Sequence, residues 1–506
     1  MRGWVVTAVL GVLAGLTRMI GLGSPTDAGT PIFDEKHYAP QAWQMLDGGW
    51  IEDNPGYELV VHPPLGKQLI ALGELLFGYT GWGWRFSAAV CGTVLVVIVV
   101  RIAMRMTGSL LLGALAGLLL VADGATTVAS RTALLDIFMT VFVVAAFAAL
   151  LVDRDQVIGR LSCAAAEGRI ADSPLGPRLG FRWWRFSAGV LLGLACAVKW
   201  GGLYYIAFFG LLTVMSDVAA RRRFGVPRPW RGALARDTPA ALASMVLVPI
   251  GVYLAGYWSW FASETAVDRH LVGTGPTSTI GPDGMFSFVP DALRSLWYYS
   301  AHVLTFHSEL TNSAGNRHPW ESKPFSWPMS LRPLLYYYAD GEDATGCGAD
   351  ECVRAVMMIG TPAMWWLSLP MLAWALWKIV TRRDWRYAWI VVGYGAGILP
   401  WLVSLDRQMY FFYAVPLAPF LVLGLTMVAG EVLGAPSPAA SAGPAAPPAR
   451  RGRVRLRADR RTLGAALVSL YAAVVVVNYV WLWPILTGLP ITAARWQAEM
   501  WLPSWR

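Results

Sequence analysis

The sequence predicts an all-α protein that crosses a membrane many times. Of its 506 residues, 56% are hydrophobic and only 14% are charged, whereas soluble globular proteins contain about 25% charged residues. Apolar runs of about 18–20 residues recur along the chain, and each is long enough to cross the ~30 Å hydrocarbon core of a bilayer. Lys and Arg residues are concentrated in alternate loops, which is typical of the cytoplasmic segments of membrane proteins. No separate soluble domain of about 100 residues or more stands out.

The apolar runs predict about eleven membrane spans. They lie near residues 4–22, 84–100, 108–125, 134–152, 186–201, 203–219, 238–260, 356–377, 387–404, 410–430 and 463–484. The first run follows MRGW and occupies the position of a signal peptide, but it is long for one, and Arg18 interrupts its outer end. We therefore predict that this run is the first span of the protein.

The distribution of basic residues predicts which face each loop occupies. With a cytoplasmic N-terminus, Arg2 and five loops contain 26 of the 41 Lys and Arg residues. These loops are 101–105, 153–185, 221–236, 378–386 and 450–461. This bias places loops 23–83 and 261–355 and the C-terminal tail on the outer face. The net charge of +9 is explained by these loops, so nucleic-acid binding is not predicted.

Ionisable residues crowd the predicted outer face, at the ends of spans or in the loops between them. They are Arg18, Asp34, Glu35, His62, Lys67, Arg85, Asp123, Arg131, Asp136, Lys199, Asp406 and Arg407. Such residues are unfavourable near hydrocarbon and indicate a functional site, although a structural network of interfacial ion pairs is the alternative. Because Arg and Lys bind phosphate well, the cluster suits a substrate whose phosphate is attached to a lipid.

Two motifs in the first outer loop suggest glycosyl transfer. In IFDEKHYAP (32–40) two carboxylates are adjacent, and one of them would act as a base for a hydroxyl that attacks an anomeric carbon. Adjacent side chains point in different directions on a helix, so the other would orient its neighbour or bind a cation. In VVHPPLGKQL (60–69) the prolines can start a short helix with Lys67 in its first turn, where free N–H groups attract anions.

Five segments, in this order, resemble the protein O-mannosyltransferases, and the actinobacterial type in particular. They are FDEKHYAP (33–40), HPPLGK (62–67), WRFSA (84–88), SRTALLDIFMT (130–140) and HPWESKPFSWP (318–328). The resemblance covers nearly the whole chain. It implies a GT-C-type fold with helical outer loops, and inverting transfer of mannose from polyprenyl-phosphate mannose to Ser or Thr hydroxyls of proteins crossing the membrane.

The resemblance also implies roles for individual residues. The catalytic Asp of the family matches Asp34, with Glu35 as its partner, and the arginines around the first two spans match Arg18 and Arg85. The predicted donor-phosphate ligands are Arg18, Lys67, Arg85, Arg131 and Arg407. The residues predicted to bind substrate or support the site are His62, Asp136, Lys199, His318, Trp320 and Trp327. For each Trp alone, an interfacial aromatic belt is the competing interpretation.

The predicted organisation has three parts. Residues 1–430 form the transmembrane catalytic module, in which loop 23–83 is catalytic and loop 261–355 receives the acceptor. That loop has fewer than 100 residues and lacks the β-trefoil MIR domain of eukaryotic members. Residues 431–462, rich in Pro, Ala and Arg, predict a disordered cytoplasmic loop, and 463–506 contain the last span and an outer tail. Cys347 and Cys352 share the outer loop, where a disulfide is expected.

Other functions and partners are compatible with parts of this pattern. A related transferase could glycosylate a lipid or a cell-wall glycan. A transporter would place ionisable residues near the bilayer midplane and often contain internal repeats, which this sequence lacks. No metal or other cofactor is expected, because the basic residues can stabilise the departing phosphate. The expected partners are the lipid donor, Ser/Thr-containing polypeptides, membrane lipids and a protein translocation channel, but not nucleic acid.

Overall fold

The computed structural model describes residues 1–315, 317–434 and 453–506, and most of them are helical. The helices of the first half are α1 (Arg2–Met19), α2 (Glu35–Asp47), α3 (Leu65–Phe77), α4 (Gly81–Thr107), α5 (Leu110–Val121), α6 (Gly124–Ser130), α7 (Asp136–Ala166), α8 (Trp183–Val198), α9 (Gly202–Arg223), α10 (Pro229–Gly232), α11 (Thr238–Leu242) and α12 (Val248–Gly256). Two π-helical turns join α10, α11 and α12 into one continuous rod, Pro229–Gly256.

The second half combines helices with a small sheet. Its helices are α13 (Trp258–Phe261), α14 (Asp291–Glu309), α15 (Pro362–Trp365), α16 (Ser368–Arg382), α17 (Trp385–Ile398), α18 (Leu417–Val432), α19 (Arg453–Thr487) and α20 (Ala493–Glu499). Its strands are β1 (Leu334–Asp340), β2 (Cys352–Met358) and β3 (Ile491–Thr492). The predicted disordered loop falls largely on residues 435–452, which lie outside the described residues, and α19 already begins at Arg453.

Apolar helices make this a multi-pass membrane protein. By length and composition, six helices of the described residues can cross a membrane, or seven if the bent pair α5 and α6 forms one span. The six are Gly81–Thr107, Asp136–Ala166, Gly202–Arg223, Pro229–Gly256, Pro362–Arg382 and Arg460–Thr487. The predicted count of about eleven is not reproduced by these criteria, because helices at other predicted spans are shorter, such as α8 and α18 with 16 residues each.

The predicted span 108–125 is broken in the structure. Helices α5 and α6 meet at an angle of 64°, and Asp123 lies in the break. One oxygen of the Asp123 carboxylate accepts a hydrogen bond from the Thr126 N–H (2.9 Å), and the other accepts one from Trp365 Nε1 (2.7 Å). This N-cap starts a new helix direction after the bend, which leads the chain to Arg131 and α7.

A three-stranded sheet, formed largely by residues of the predicted loop 261–355, corrects the expectation of purely helical outer loops. Strands β1 and β2 form an antiparallel hairpin, and β3 pairs with the start of β2. A disulfide joins Cys347 and Cys352, whose Cα atoms are 5.7 Å apart, at the end of the hairpin. The first residues of the predicted span 356–377 belong to β2 rather than to a helix. The prediction included them because this buried strand is as apolar as the helices that begin at Pro362.

Candidate active site

Asp34 lies at the entrance of α2, directly after a strained residue. Phe33 has a φ of +47°, a conformation that costs on the order of 1–3 kcal/mol for a non-glycine residue. Its ring stacks on Tyr336 of β1, with ring centroids 4.5 Å apart. Asp34 is half-buried at the N-cap of α2. Among the described residues, its carboxylate forms no hydrogen bond and no ion pair, so it remains available to a substrate.

In Glu35, by contrast, both carboxylate oxygens accept hydrogen bonds from groups of the protein. Its carboxylate forms a bidentate ion pair with Arg85, at 2.7 and 2.8 Å, and both side chains are buried. It also accepts hydrogen bonds from the backbone N–H groups of Ile32 (3.1 Å) and Ala133 (2.8 Å). Glu35 therefore fixes the start of α2 against α4 and the segment before α7. The two adjacent carboxylates thus have different environments.

Arg18 and Arg131, two of the expected phosphate ligands, bind the ends of helices instead. The Arg18 guanidinium donates to the carbonyl groups of Leu120 (3.1 Å) and Val121 (3.4 Å) at the end of α5. Arg131 donates to the carbonyls of Arg18 (3.1 Å), Ile20 (2.8 Å) and Gly21 (3.1 Å) after α1. Cations at these positions complement helix dipoles and satisfy the terminal carbonyls. Both arginines therefore position α1 and α5.

Lys67 also has a partner that the sequence did not suggest. Its ammonium group forms a buried ion pair with Glu52, whose carboxylate also accepts a hydrogen bond from Asn54 (2.9 Å). With Arg85 bound to Glu35, four of the five expected phosphate ligands are engaged inside the protein. The sequence alone had no means of pairing these cations with carboxylates or helix ends, and their role as phosphate ligands stays a prediction.

Lys199 and Arg407 form a second group of cations on the same side of the molecule as Asp34. Lys199 contacts both oxygens of Asp136, at 2.9 and 3.1 Å, and lies 4.7 Å from the ring centre of Tyr413. Arg407 lies 5.4 Å from the ring centre of Trp401 and 5.9 Å from that of Tyr413. The two rings stack at 4.3 Å. Lys199 and Arg407 therefore both contact one aromatic stack.

Two histidines lie beside these cations. His62, from the HPPLGK motif, stacks on His307 of α14 with ring centroids 5.7 Å apart. His307 Nδ1 is 3.3 Å from an Arg407 nitrogen and can accept its hydrogen bond. Burial, with help from Arg407, lowers the pKa of His307 to about 4, and burial beside Lys199 lowers the pKa of His62 well below its ordinary value. Both imidazoles are therefore neutral at neutral pH.

The electrostatic environment of Asp34 connects it with this second group. Burial raises the pKa of the Asp34 carboxyl and Asp136 adds to the rise, whereas His37 and Lys199 oppose it. Burial raises the pKa values of Tyr38, Tyr336 and Tyr410, and the charge of Asp34 adds to the rise. The site therefore combines a half-buried carboxylate, two cations and several hydroxyl groups from distant parts of the chain.

The residues of the HPWESKPFSWP motif occupy the edge of this site. Trp327 is fully buried and donates to Ser322 Oγ (2.9 Å), so it supports the Trp401 stack rather than a peptide groove. Trp320 lies under Arg332 at 4.8 Å. His318 packs edge-on against Tyr410, with ring centroids 5.4 Å apart. Of these three residues, only His318 contacts Tyr410, a tyrosine whose pKa Asp34 helps to raise.

An apolar groove lies between helices α8, α9, α12 and α14. Its volume is about 580 Å³, and its walls are almost entirely apolar. Trp200, directly after Lys199, lies at the groove, opposite Trp297 and Leu304 of α14. A lipid chain is the kind of ligand that suits such a surface. Within the described residues, no group of three or more His, Cys, Asp or Glu side chains is arranged to hold a metal ion.

Sequence reasoning did not identify His307, Trp401, Tyr413 or Glu52. His307 lies in YYSAHVLTFHSEL, and no motif separates it from the other histidines of that loop. Tyr413 lies in an aromatic run, YFFY, which reads as part of a membrane span. A weak signal was available for Glu52, because it is one of few carboxylates near Lys67. Only the fold brings these residues to Asp34 and Lys67.

Comparisons with known families cover most of the chain. Residues 80–263 match the family described as dolichyl-phosphate-mannose-protein mannosyltransferase. Residues 292–505 match the C-terminal four-transmembrane region of protein-O-mannosyltransferase. Three similar relatives are each named polyprenol-phosphate-mannose--protein mannosyltransferase. They are the proteins of Mycolicibacterium smegmatis (57% identical, covering 100% of this chain and 93% of the relative), Mycobacterium tuberculosis (56%, covering 100% and 92%) and Corynebacterium glutamicum (43%, covering 99% and 93%).

Solved structures show the same fold at low sequence identity. The S. cerevisiae protein O-mannosyltransferase Pmt1-Pmt2 complex bound to the sugar donor matches with a TM-score of 0.72 at 14% identity, covering 100% of this chain and 93% of that chain. ArnT from Cupriavidus metallidurans bound to undecaprenyl phosphate matches with a TM-score of 0.51 at 17% identity, covering 96% and 77%. The predicted GT-C-type fold is confirmed. The chain belongs to the protein O-mannosyltransferase family, as the motifs of its outer loops predicted.

Proposed function

We propose that the protein transfers mannose from polyprenyl-phosphate mannose to Ser and Thr hydroxyls of polypeptides at the outer membrane surface. It is a mannosyltransferase by family, and its relatives of 43–57% identity carry the name of that activity. The observation that supports the detailed reaction is that Asp34, a carboxylate without a partner among the described residues, lies close enough to Lys199 to feel its charge. Arg407 contacts the same Tyr413 ring as Lys199. A lipid or cell-wall acceptor has no comparable support.

The proposed reaction is a single displacement with inversion at the anomeric carbon. Asp34 removes the proton of the acceptor hydroxyl while its oxygen forms a bond to that carbon. The bond between the carbon and the phosphate oxygen breaks, and the polyprenyl phosphate leaves with the electron pair. Lys199 and Arg407 stabilise the charge that develops on this phosphate, and such preorganised stabilisation is a major source of catalysis. Asp136 fixes the direction of the Lys199 ammonium group.

The polyprenyl chain is proposed to lie in the apolar groove between α8 and α14. Trp200, which lines this groove, follows Lys199 in the chain, and we propose that the phosphate of a lipid in the groove reaches the cations from there. The acceptor would approach from the aqueous side, where His318 and Phe325 are accessible; the Phe325 side chain is 69% exposed. A translocation channel that delivers unfolded polypeptide to this side remains a proposed partner.

Removing either cation should impair donor use. Lys199→Gln and Arg407→Gln are each expected to lower kcat and kcat/KM by about 10²-fold, which is typical for the loss of one group that stabilises a developing charge. Lys36→Gln is the matched control, because Lys36 belongs to an exposed ion pair with Asp27. Steady-state kinetics on folded variants would test this. Wild-type kinetics in both site variants would mean that other groups bind the phosphate.

The pH profile should report Asp34 rather than the histidines. The base acts as a carboxylate, so transfer is lost as the pH falls through the raised pKa of Asp34, at a higher pH than for an ordinary Asp of about 3.9. His307 has no proton-transfer role in the proposed reaction, so His307→Gln should leave this acidic limb in place. Measuring kcat/KM against pH in both proteins tests this. A limb near pH 6.5 that disappears in His307→Gln would assign it to histidine.

The proposed orientation places the N-terminus in the cytoplasm and the active site outside. Cysteines introduced near positions 270 and 500 are expected to react with an impermeant thiol reagent added from outside, and a cysteine near 445 is not. The native cysteines outside the disulfide would first be replaced; they are Cys91, Cys163 and Cys196. Labelling at 445 in intact cells would contradict the orientation and with it the outer location of Asp34.

The activity itself is tested with the purified protein, radiolabelled polyprenyl-phosphate mannose and a Ser/Thr/Pro-rich peptide. We expect label on the peptide hydroxyls with an α-linkage, and none without the peptide. The reaction is expected to proceed in EDTA, since we propose that Lys199 and Arg407 take the place of a metal ion. Label that appears only in lipid or glycan, with none on the peptide, would refute the proposed acceptor.

A further inference from the structure

A pocket of about 520 Å³ lies at the membrane face opposite the candidate active site. Helix α7 starts beside the site at Asp136 and continues for 31 residues, a length of about 46 Å at ~1.5 Å per residue. The pocket lies at the far end of this helix. The residues that line it are Gln156, Gly159, Arg160, Cys163, Ala164, Arg169, Pro177, Arg178 and Leu179.

The pocket has a helical wall and a loop wall. Gln156, Arg160 and Cys163 recur at intervals of three or four residues, so they share one face of α7. Gly159 lies on the same face, and a Cβ atom there would meet no atom within 4 Å. The missing side chain therefore leaves space at the centre of this wall. The opposite wall is the segment Pro177–Leu179, which leads into α8.

The loop wall is held by the buried Arg221 and the half-buried Arg236. Arg221 of α9 donates to the carbonyls of Leu175 (2.9 Å) and Pro177 (3.2 Å), and it forms a bidentate ion pair with Asp237 at 2.7 and 2.9 Å. Arg236 donates to the carbonyl of Gly176. The pocket is thus formed before any ligand arrives, which removes the entropic cost of ordering a loop on binding.

Three arginines line the pocket, and no carboxylate is among its lining residues. Arg178 is exposed and forms no hydrogen bond or ion pair within the part of the chain that the structure describes. Arg160 donates to the carbonyls of Leu179 and Phe181, and Arg169 forms an exposed pair with Glu167. Guanidinium groups of this kind match the geometry of a phosphate. The pocket therefore suits a phosphate group.

Aromatic side chains beside the pocket indicate that this phosphate belongs to a lipid. Phe181, Trp183 and Phe186 pack together, and the side chains of Phe181 and Trp183 are 56% and 67% exposed. Aromatic residues at the start of an apolar helix such as α8 are typical of the bilayer interface. We propose that the pocket binds the headgroup of an anionic phospholipid from the leaflet opposite the active site.

The test measures lipid retention by the full-length protein. The protein is reconstituted in nanodiscs of mixed phosphatidylglycerol and phosphatidylcholine, and the lipids that remain bound after release are counted by native mass spectrometry. Each of Arg169→Ala and Arg178→Ala is expected to lower phosphatidylglycerol retention about fivefold, which corresponds to the typical net contribution of one hydrogen bond to the bound phosphate. Arg231→Ala, which removes an exposed arginine outside the pocket, is the control and should change it less than twofold.

A second variant separates the pocket from its charge. Gly159→Leu fills the space on α7 without altering any charge and favours the helix, so it should also lower retention. Equal losses in Arg178→Ala and Arg231→Ala, or full retention in Gly159→Leu, would overturn the proposal. Glycerol 3-phosphate binding as tightly as phosphatidylglycerol would overturn the lipid source in favour of a soluble phosphate. Mannosyl transfer in detergent serves as the check that each variant is folded.

Discussion

Asp34→Asn is expected to reduce peptide mannosylation by about 10²–10⁴-fold, the range typical for the loss of a general base. The amide has nearly the volume and shape of the carboxylate, but it cannot accept the hydroxyl proton. Folding should be unaffected, because the Asp34 carboxylate has no hydrogen-bond or ion-pair partner in the described part of the chain. Binding of the lipid donor should also remain, since Lys199 and Arg407 are unchanged.

The measurement compares peptide mannosylation and donor binding for Asp34→Asn and Asp27→Asn side by side. Asp27 lies in the same loop, but its carboxylate is 57% exposed and forms only a surface pair with Lys36. Its replacement by Asn should therefore have little effect. Near wild-type turnover in Asp34→Asn would remove this residue from the proposed reaction, although the membership of the family would stand.

Glu35→Gln is expected to destabilise the protein rather than to stop chemistry directly. Each Glu35 oxygen accepts one hydrogen bond from Arg85 and one from a backbone N–H, of Ala133 or of Ile32. Whichever oxygen the Gln NH₂ group replaces, it would face both an Arg85 N–H and a backbone N–H, and neither hydrogen bond could form. It would also leave Arg85 as a buried cation without a counter-charge. Breaking a buried ion pair in this way costs about 3–5 kcal/mol. We therefore expect a clear fall in the thermal unfolding temperature and in the yield of folded protein.

Thermal unfolding of Glu35→Gln, Arg85→Met and the double variant would measure the coupling. The double variant should be less destabilised than the sum of the two single variants, because the unpaired buried charge is absent. Asp27→Asn again serves as a control with a small expected effect, as exposed ion pairs contribute about 0–1 kcal/mol. If Glu35→Gln unfolded like the wild-type protein but was inactive, Glu35 would be the base and Asp34 its support.

The sequence predicted the features that depend on local pattern. Apolar runs indicated the membrane helices, and the DE motif directed attention to Asp34. Pairing in space could not be read in the same way. Arg18 and Arg131 bind helix ends that are distant in sequence, whereas Lys199 and Arg407 contact an aromatic stack. Nothing in the local sequence around these four cations distinguishes the two kinds of environment.

The hairpin of β1 and β2 was missed for a related reason. Strand β2 is buried on both faces, so it shows an apolar run rather than the alternation that identifies a half-exposed strand. Such a run directly before the helices that begin at Pro362 is indistinguishable from the start of a membrane span. Tyr336 of β1, which stacks on Phe33 next to Asp34, was missed with it.

The residues of the site are far apart in the sequence, and this has a consequence for biosynthesis. Asp34 leaves the ribosome long before Arg407 and Tyr413, because it precedes them in the chain. Domains form contacts as their segments emerge, so a nascent chain that ends before Arg407 has its base but only one of the two proposed phosphate ligands. The enzyme should therefore gain activity only after Arg407 has emerged, when the membrane helices that precede it have been inserted.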